Sequence, residues 1–331
     1  MTSPASHAVP HIIATRQIPE EAYRLLARTG KVHQPPGIET WPPEKLKSIL
    51  KTAVALICFP GDRIDEEIIA SGPRLKVIAC GSASFGNVDT SYAQACGIWV
   101  TNTPDIMTDA TADLAFGLLL SAARHIVAAD RFLRQGNFRG WDYFLFHGVQ
   151  LSGKVLGIVG MGRIGQAVAE RAKGFGLKIL YSNRMKLTAE RERELGARYV
   201  SFGQLLRRSD FISLHVPLTS TTHHLIGTPQ LEVMKKGAIL INTSRGGVVS
   251  EKALAWALKT GRIAAAGLDV YEQETSLERE LLDLDNVILL PHIGSATEEA
   301  RRETAMAVVR DVLSVLRGKR PRHPVVVPEK P

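Results

Sequence analysis

Three short pieces of this sequence carry side chains suited to anion binding and proton transfer, and each directly follows a strand-like apolar run. They are Asn242-Thr-Ser-Arg245-Gly-Gly, Gly267-Leu-Asp269-Val-Tyr-Glu-Gln-Glu274 and Pro291-His292-Ile-Gly-Ser-Ala-Thr297. Arg245 is a permanent cation with a planar fork, matched to a carboxylate and able to polarise a neighbouring carbonyl. His292 is the group here whose proton moves near neutral pH, the natural acid for an oxygen that gains negative charge. Residues just beyond the carboxyl ends of strands are where open α/β sheets bind ligands. Each has a bland counterpart: a packing histidine, a structural arginine ion pair, a loop carboxylate at Glu274 beside Glu272.

A second set is suited to phosphate. The strand-like Val155-Leu-Gly-Ile-Val159 runs into Gly160-Met-Gly162-Arg163-Ile164-Gly165 and then a helical pattern over Gln166–Phe175. This is GxGxxG between a strand and a helix, the context in which it reads as a dinucleotide site. Gly160 permits the tight turn, Gly162 lets the backbone approach a pyrophosphate, and Gly165 lets the helix pack on the strand. The next strand-like run, Lys178–Tyr181, ends in Ser182-Asn183-Arg184-Met185-Lys186. NAD-binding versions place an acid there for the ribose hydroxyls, and this chain has Asn183. Ser182, Asn183, Arg184, Lys186 and, inside the turn, Arg163 supply the donors and cations that a 2′-phosphate needs. The reading is therefore NADP(H) over NAD(H).

The elements that must position these residues alternate in type. Strand-like runs cover His11–Thr15, Val54–Cys58, Val77–Cys80, Val155–Val159, Lys178–Tyr181, Phe211–His215, Ala238–Asn242, Ala264–Leu268 and Val287–Leu290, with helical patterns such as Glu20–Thr29 and Glu251–Thr260 between them. Such alternation is the sequence form of α/β folds with parallel sheets covered on both faces. One long helix is expected from Thr108 to about Arg134, followed by Trp141-Asp-Tyr-Phe-Leu-Phe146. Those aromatics read either as a subunit contact or as a satellite cluster under a loop.

Composition narrows the field. At 331 residues, 45% hydrophobic and 22% charged, the chain suits two globular domains. The apolar stretch Leu114–Ala123 is far short of the ~20 residues of a membrane span, so no membrane partner is expected. Residues 1–7 show no secretory signal. Three cysteines without ligand spacing argue for a reducing compartment, here the cytoplasm, for small buried thiols, and against a metal. The net charge of +8 falls wholly in residues 151–331, with 27 basic and 19 acidic side chains, against 14 and 14 in 1–150. The stretch 163–208 alone holds 11 basic and 4 acidic residues, so the excess reads partly as a local dinucleotide signature and not as a nucleic-acid surface. Arg317-Gly-Lys-Arg-Pro-Arg322 reads as a solvated tail.

Taken together, and with Thr103-Pro, Thr108-Asp-Ala-Thr-Ala-Asp113 and Val216-Pro-Leu-Thr219, these motifs resemble the D-2-hydroxyacid dehydrogenases, most closely their glyoxylate/hydroxypyruvate reductase branch. The resemblance runs from about Gly81 to Arg317. It implies two Rossmann-like doubly wound domains: a cofactor domain, 104–293, inserted into a discontinuous flavodoxin-like substrate domain, 1–103 with 294–331. Arg245 would hold a 2-oxoacid carboxylate and His292 would protonate its carbonyl, with Glu274 paired to His292. Asp269 would face the nicotinamide carboxamide. Thr243, Ser244, Gly294 and Ser295 would line the cofactor, with Thr108 and Pro217 at the margin of its site. Trp141 would reach a neighbouring subunit's substrate pocket in a homodimer.

The chain departs from the family in its expected substrate loop. Where Val-Gly-Tyr-Asp-Asn is usual, it has Ala83-Ser84-Phe85-Gly86-Asn87. The N–H groups of Ala83 and Ser84 would still bind the substrate carboxylate, but Ser84 adds a hydroxyl. Ala83, where a phosphite-oxidising branch carries Lys, argues against phosphite. Alternatives are a reductase of bulkier oxoacids, such as 2-ketogluconate or an aryl pyruvate, and a nucleotide-sensing corepressor.

Overall fold

The computed structural model describes residues 9–328, so the signal-free reading of 1–7 lies outside the described residues. The chain divides into two compact units: one runs to Met107 and resumes at Thr297, and the other is Thr108–Ala296. Gly294 and Ser295, assigned from the sequence to the first, therefore belong to the second.

The first unit begins with β1 (His11–Ala14), β2 (Lys31–His33), β3 (Ala53–Cys58), β4 (Val77–Cys80) and β5 (Trp99–Thr101). The second holds β6 (Val155–Val159), β7 (Lys178–Ser182), β8 (Ala197–Tyr199), β9 (Phe211–Leu214), β10 (Ile239–Asn242), β11 (Ala265–Leu268) and β12 (Val287–Leu289). The chain then returns to the first unit through helix Glu298–Leu316 and β13 (Pro324–Val326). The first sheet has the order β13-β5-β4-β3-β1-β2, parallel except for β13 against β5. Its parallel part, 2-1-3-4-5, is the flavodoxin order. The second sheet, β12-β11-β10-β9-β6-β7-β8, is parallel throughout. Its order reverses between β6 and β9, the switch point at which doubly wound sheets open a ligand crevice. The fold is two Rossmann-like parallel-sheet domains.

The apolar runs become strands because both faces are covered. In β10, Ile239 and Ile241 join one core layer and Leu240 the other. Each Leu or Ile so buried contributes about 1.5–3 kcal/mol of transfer free energy. Helix Thr108–Ala123 lies on the first of these layers, close enough that a Cβ on Gly267 of β11 would meet the Leu118 Cβ at 3.1 Å.

Four expectations need correction. The helix from Thr108 to Arg134 is two, Thr108–Ala123 and Ile126–Arg134, bent by 64°. Neither Gly nor Pro marks the break: His125 takes a left-handed φ of 54°, and the Ala123 carbonyl accepts the Val149 N–H at 2.8 Å. No single helix among the described residues is long and apolar enough to cross a membrane. The stretch 317–322 is no tail. Its basic side chains are exposed, but the Arg322 N–H donates to buried Asp311 at 2.7 Å and the chain continues into β13. Cys58 and Cys80 are buried as expected, whereas Cys96 is exposed beyond helix Thr90–Ala95. Finally, the sequence pattern does not reveal β2, β5, β8 and β13, each three residues long and too short to show a period.

Candidate active site

The glycine turn leaves β6 at the switch point. Gly160 has φ 92°, and a Cβ there would lie 2.4 Å from the His215 carbonyl oxygen. A Cβ on Gly165 would lie 2.2 Å from the Gly160 carbonyl oxygen, whereas above Gly162 there is open space. Helix Arg163–Gly174 starts from Gly162, which offers no capping side chain, and a helix start of this kind favours an anion through its N–H groups and dipole. Ile164 packs against the core below and Arg163 is exposed. These features fit a pyrophosphate.

At the end of β7, the Ser182 carbonyl accepts the Gly160 N–H at 2.9 Å, tying the two loops together. The Asn183 amide donates to the Met185 carbonyl at 3.0 Å. Lys186 lies 3.4 Å from Glu192, a partner absent from the sequence reading, which also accepts the Tyr181 hydroxyl at 2.8 Å. That hydroxyl, ahead of Lys186, holds the Glu192 carboxyl below the usual range. Arg184 is exposed and makes no ion pair among the described residues.

His215 follows β9 beside Gly160. Its Nε2 lies 2.8 Å from the Ser213 hydroxyl, and its Nδ1 is buried without a partner among the described residues. Burial pushes the imidazole down to about 4 from an ordinary value of 6.5. The fold holds it neutral, so its stabilising contribution is complete above about pH 6.5 and is lost as pH falls toward 4, by about 2–3 kcal/mol. Urea unfolding across that window is expected to show the loss, and His215→Asn to flatten it. An unchanged pH dependence in the variant would contradict this assignment.

Beyond β10, the Asn242 side chain organises the next loop. Its Oδ1 accepts the Ser244 N–H at 3.0 Å and the Ser244 hydroxyl at 2.8 Å, and its Nδ2 donates to the Arg245 carbonyl at 3.0 Å. The buried Thr243 hydroxyl has no partner among the described residues, as a ligand-facing donor would. Gly246 packs so tightly that a Cβ would fall 1.8 Å from the Tyr271 carbonyl carbon. Arg245 is thereby pinned beside the segment after β11. Its side chain stays exposed, but partial desolvation by nearby protein draws the guanidinium pKa below the usual arginine range, against the pull of the Glu274 charge.

Glu274 and His292 are brought together, Nδ1 of the imidazole against Oε1 of the carboxylate, with both side chains partly exposed. His292 has a left-handed φ of 54°, a conformation that non-glycine residues adopt only when their surroundings impose it. Asp269 imposes it. Buried at 1% exposure, its two oxygens accept the N–H groups of Ile293 and Gly294 at 2.7 Å each. Burial raises its pKa, and those two N–H groups oppose the shift. These two bonds set the loop that carries His292.

Glu274 is positioned by residues that spacing did not reveal. The N–H groups of Glu272 and Glu278 donate to the buried Glu251 carboxylate at 2.5 and 3.1 Å. In return, the Glu251 N–H donates to Glu272 at 2.9 Å. Glu272 also meets His224 at 2.7 Å, and His223 lies alongside. Ser295 is half-buried just beyond Gly294, and Pro217 lies exposed after β9, its carbonyl accepting the Thr222 hydroxyl at 2.6 Å. Thr108 is half-buried at the head of its helix.

In the first unit, Ala83 and Ser84 are exposed, and their N–H groups have no acceptor among the described residues. The Asn102 side chain holds the Ala83 carbonyl at 2.8 Å. Trp141 is 84% exposed, with Tyr143 and Phe144 also open, so the aromatic run is a surface and not a satellite core.

Comparison with known proteins agrees with this fold. The family described as D-isomer specific 2-hydroxyacid dehydrogenase, NAD binding domain, matches residues 116–294. A glyoxylate reductase of Thermococcus litoralis is 48% identical over 316 residues, covering 94% of this chain and 95% of its own. Among solved structures, the TT0316 protein of Thermus thermophilus has a TM-score of 0.91 at 41% identity, over 96% of this chain and 100% of that one. An NADPH-dependent glyoxylate/hydroxypyruvate reductase from Sinorhizobium meliloti, solved with NADP and malonate, has a TM-score of 0.86 at 30% identity, over 98% and 100%. With a parallel sheet that opens on a glycine turn at its switch point and relatives this similar along nearly its whole length, the chain belongs to the D-2-hydroxyacid dehydrogenase family, in its glyoxylate reductase branch.

Proposed function

We propose that this chain reduces small 2-oxoacids with NADPH, glyoxylate to glycolate and hydroxypyruvate to D-glycerate. The Thr108–Ala296 unit would be the cofactor domain and the other the substrate domain. The observation that carries the reading is the His292–Glu274 pair, set by the Asp269 clamp on the same sheet edge as Arg245 and the glycine turn.

NADPH, when bound, supplies the hydride that reaches C2 of the oxoacid. The turn 160–165 would hold its pyrophosphate; Thr243, Ser244, Gly294 and Ser295 would line its nicotinamide end. Arg245 binds the substrate carboxylate and draws electron density toward the carbonyl oxygen. The exposed N–H groups of Ala83 and Ser84 are the substrate domain's own candidate donors to a carboxylate. His292 gives that oxygen its proton from Nε2, because Glu274 occupies Nδ1. Glu274 thus fixes ring orientation and the tautomer left behind.

The preference for NADPH rests on Ser182 and Arg184 beside Asn183, where an acid would repel a 2′-phosphate, and on the NADPH-dependent relative. Arg184→Ala is expected to lower the NADP-to-NAD efficiency ratio about 10- to 100-fold, since a charged hydrogen bond contributes about 1.5–3 kcal/mol. Asn183→Asp is expected to act in the same direction. An unchanged ratio in both would reverse the cofactor assignment.

The exposed aromatics at 138–146 support a homodimer in which Trp141 reaches a neighbouring pocket. Turnover of glyoxylate, hydroxypyruvate, 2-ketogluconate and phenylpyruvate by the native chain and by Trp141→Ala tests both points. Small acids should rank first, and the variant should change the hydroxypyruvate-to-glyoxylate ratio. A leading bulky acid would overturn the substrate class, and an unchanged ratio would overturn the role of Trp141.

A further inference from the structure

Outside the site above, His223, His224 and Glu272 bring one ligand atom each to within 4.8 Å of one another at the surface. We propose that these three side chains bind a divalent transition-metal ion, of which zinc is the simplest probe. Two imidazoles and one carboxylate form a common donor set for such ions when further positions are left to water. Ligand atoms on one ion lie about 3.3 Å apart at metal–ligand distances of about 2.0–2.2 Å, so shifts of about an ångström in exposed side chains would complete the site.

The donors are already set. The His223 and His224 rings stack at 4.0 Å with 26° between their planes. The N–H groups of His223 and His224 are fixed on the Thr219 and Gly247 carbonyls, at 2.9 and 2.8 Å. The Glu272 oxygen that does not face His224 accepts the Glu251 N–H at 2.9 Å, the outer support that orients a ligating carboxylate. His224 Nε2 and Glu272 Oε2 lie 2.7 Å apart, and the ion would take the place of the proton they share. The bound ion would link the segment after β9 to the segment that begins at Glu272.

The test is zinc titration of the full, chelator-stripped chain by calorimetry, with thermal unfolding alongside. One equivalent should bind and raise the Tm. Affinity should fall about tenfold or more in His224→Ala, in Glu272→Gln and in the milder His223→Asn. Two controls remove other zinc donors: Cys96→Ser, which deletes the exposed thiol, and His292→Asn, and both should retain the site. Absence of binding to the native chain would overturn the proposal. So would ligand variants that bind as tightly as native, or loss of the equivalent in either control.

Discussion

Replacing His292 with Asn is expected to lower kcat for oxoacid reduction by about 10²–10⁴-fold, the range a positioned general acid contributes. The oxygen of the substrate carbonyl gains charge as hydride arrives, and without a proton it must leave as an alkoxide. Asn fills much of the same space and keeps a donor, so the loss would report the mobile proton and not a cavity. Binding of NADPH should change far less than kcat, because the glycine turn and the helix Arg163–Gly174 are untouched. Glu274→Gln is the graded companion. The amide oxygen still accepts from Nδ1 and keeps the ring oriented while the charge is removed, so its kcat should lie between native and His292→Asn. Stopped-flow single turnovers check both. A Glu274→Gln variant slower than His292→Asn would mean that the carboxylate, and not the imidazole, carries the proton.

Arg245→Lys should lower kcat/KM by about 10²–10³-fold, comparable to removing one preorganised donor from a developing oxyanion. Lysine keeps the charge but loses the planar fork, so it cannot hold a carboxylate and polarise the adjacent carbonyl at once. The effect should be large because Arg245 is held on both sides, by Asn242 at its carbonyl and by the close packing of Gly246 on Tyr271. Both kcat and KM are expected to change, since in the proposed role the contact with the carboxylate would be made in ground and transition states alike and the contact with the carbonyl would strengthen only in the second. Native kcat/KM in this variant would remove Arg245 from the reacting centre.

The fold, and the residues to which the chemistry is assigned, were legible because they carry strong local signals. Arg245, Asp269 and His292 each follow a buried run, and Gly160 to Gly165 join a strand to a helix. The partners were harder to read. Glu251 and Glu272 are 21 residues apart and exchange backbone-to-carboxylate bonds that no local pattern encodes. Glu192 reaches Lys186 because helix Ala189–Leu195 turns it back. His224 meets Glu272 across 48 residues of sequence. No local pattern marks the break at His125, because Ala122 to Arg124 before it and Ala128 and Ala129 after it are good helix formers and the competing bond comes from Val149. Short strands at sheet edges carry too few residues to show alternation, and Pro324 made β13 look like loop.

The most direct measurement is oxidation of NADPH by the purified chain with glyoxylate as the sole oxoacid, followed through nicotinamide absorbance with glycolate assayed as product. Stoichiometric glycolate, abolished or nearly so in His292→Asn, is the expected result. Tight NADPH binding with no oxidation by glyoxylate or hydroxypyruvate would contradict a reductase and favour a nucleotide sensor built on the same fold.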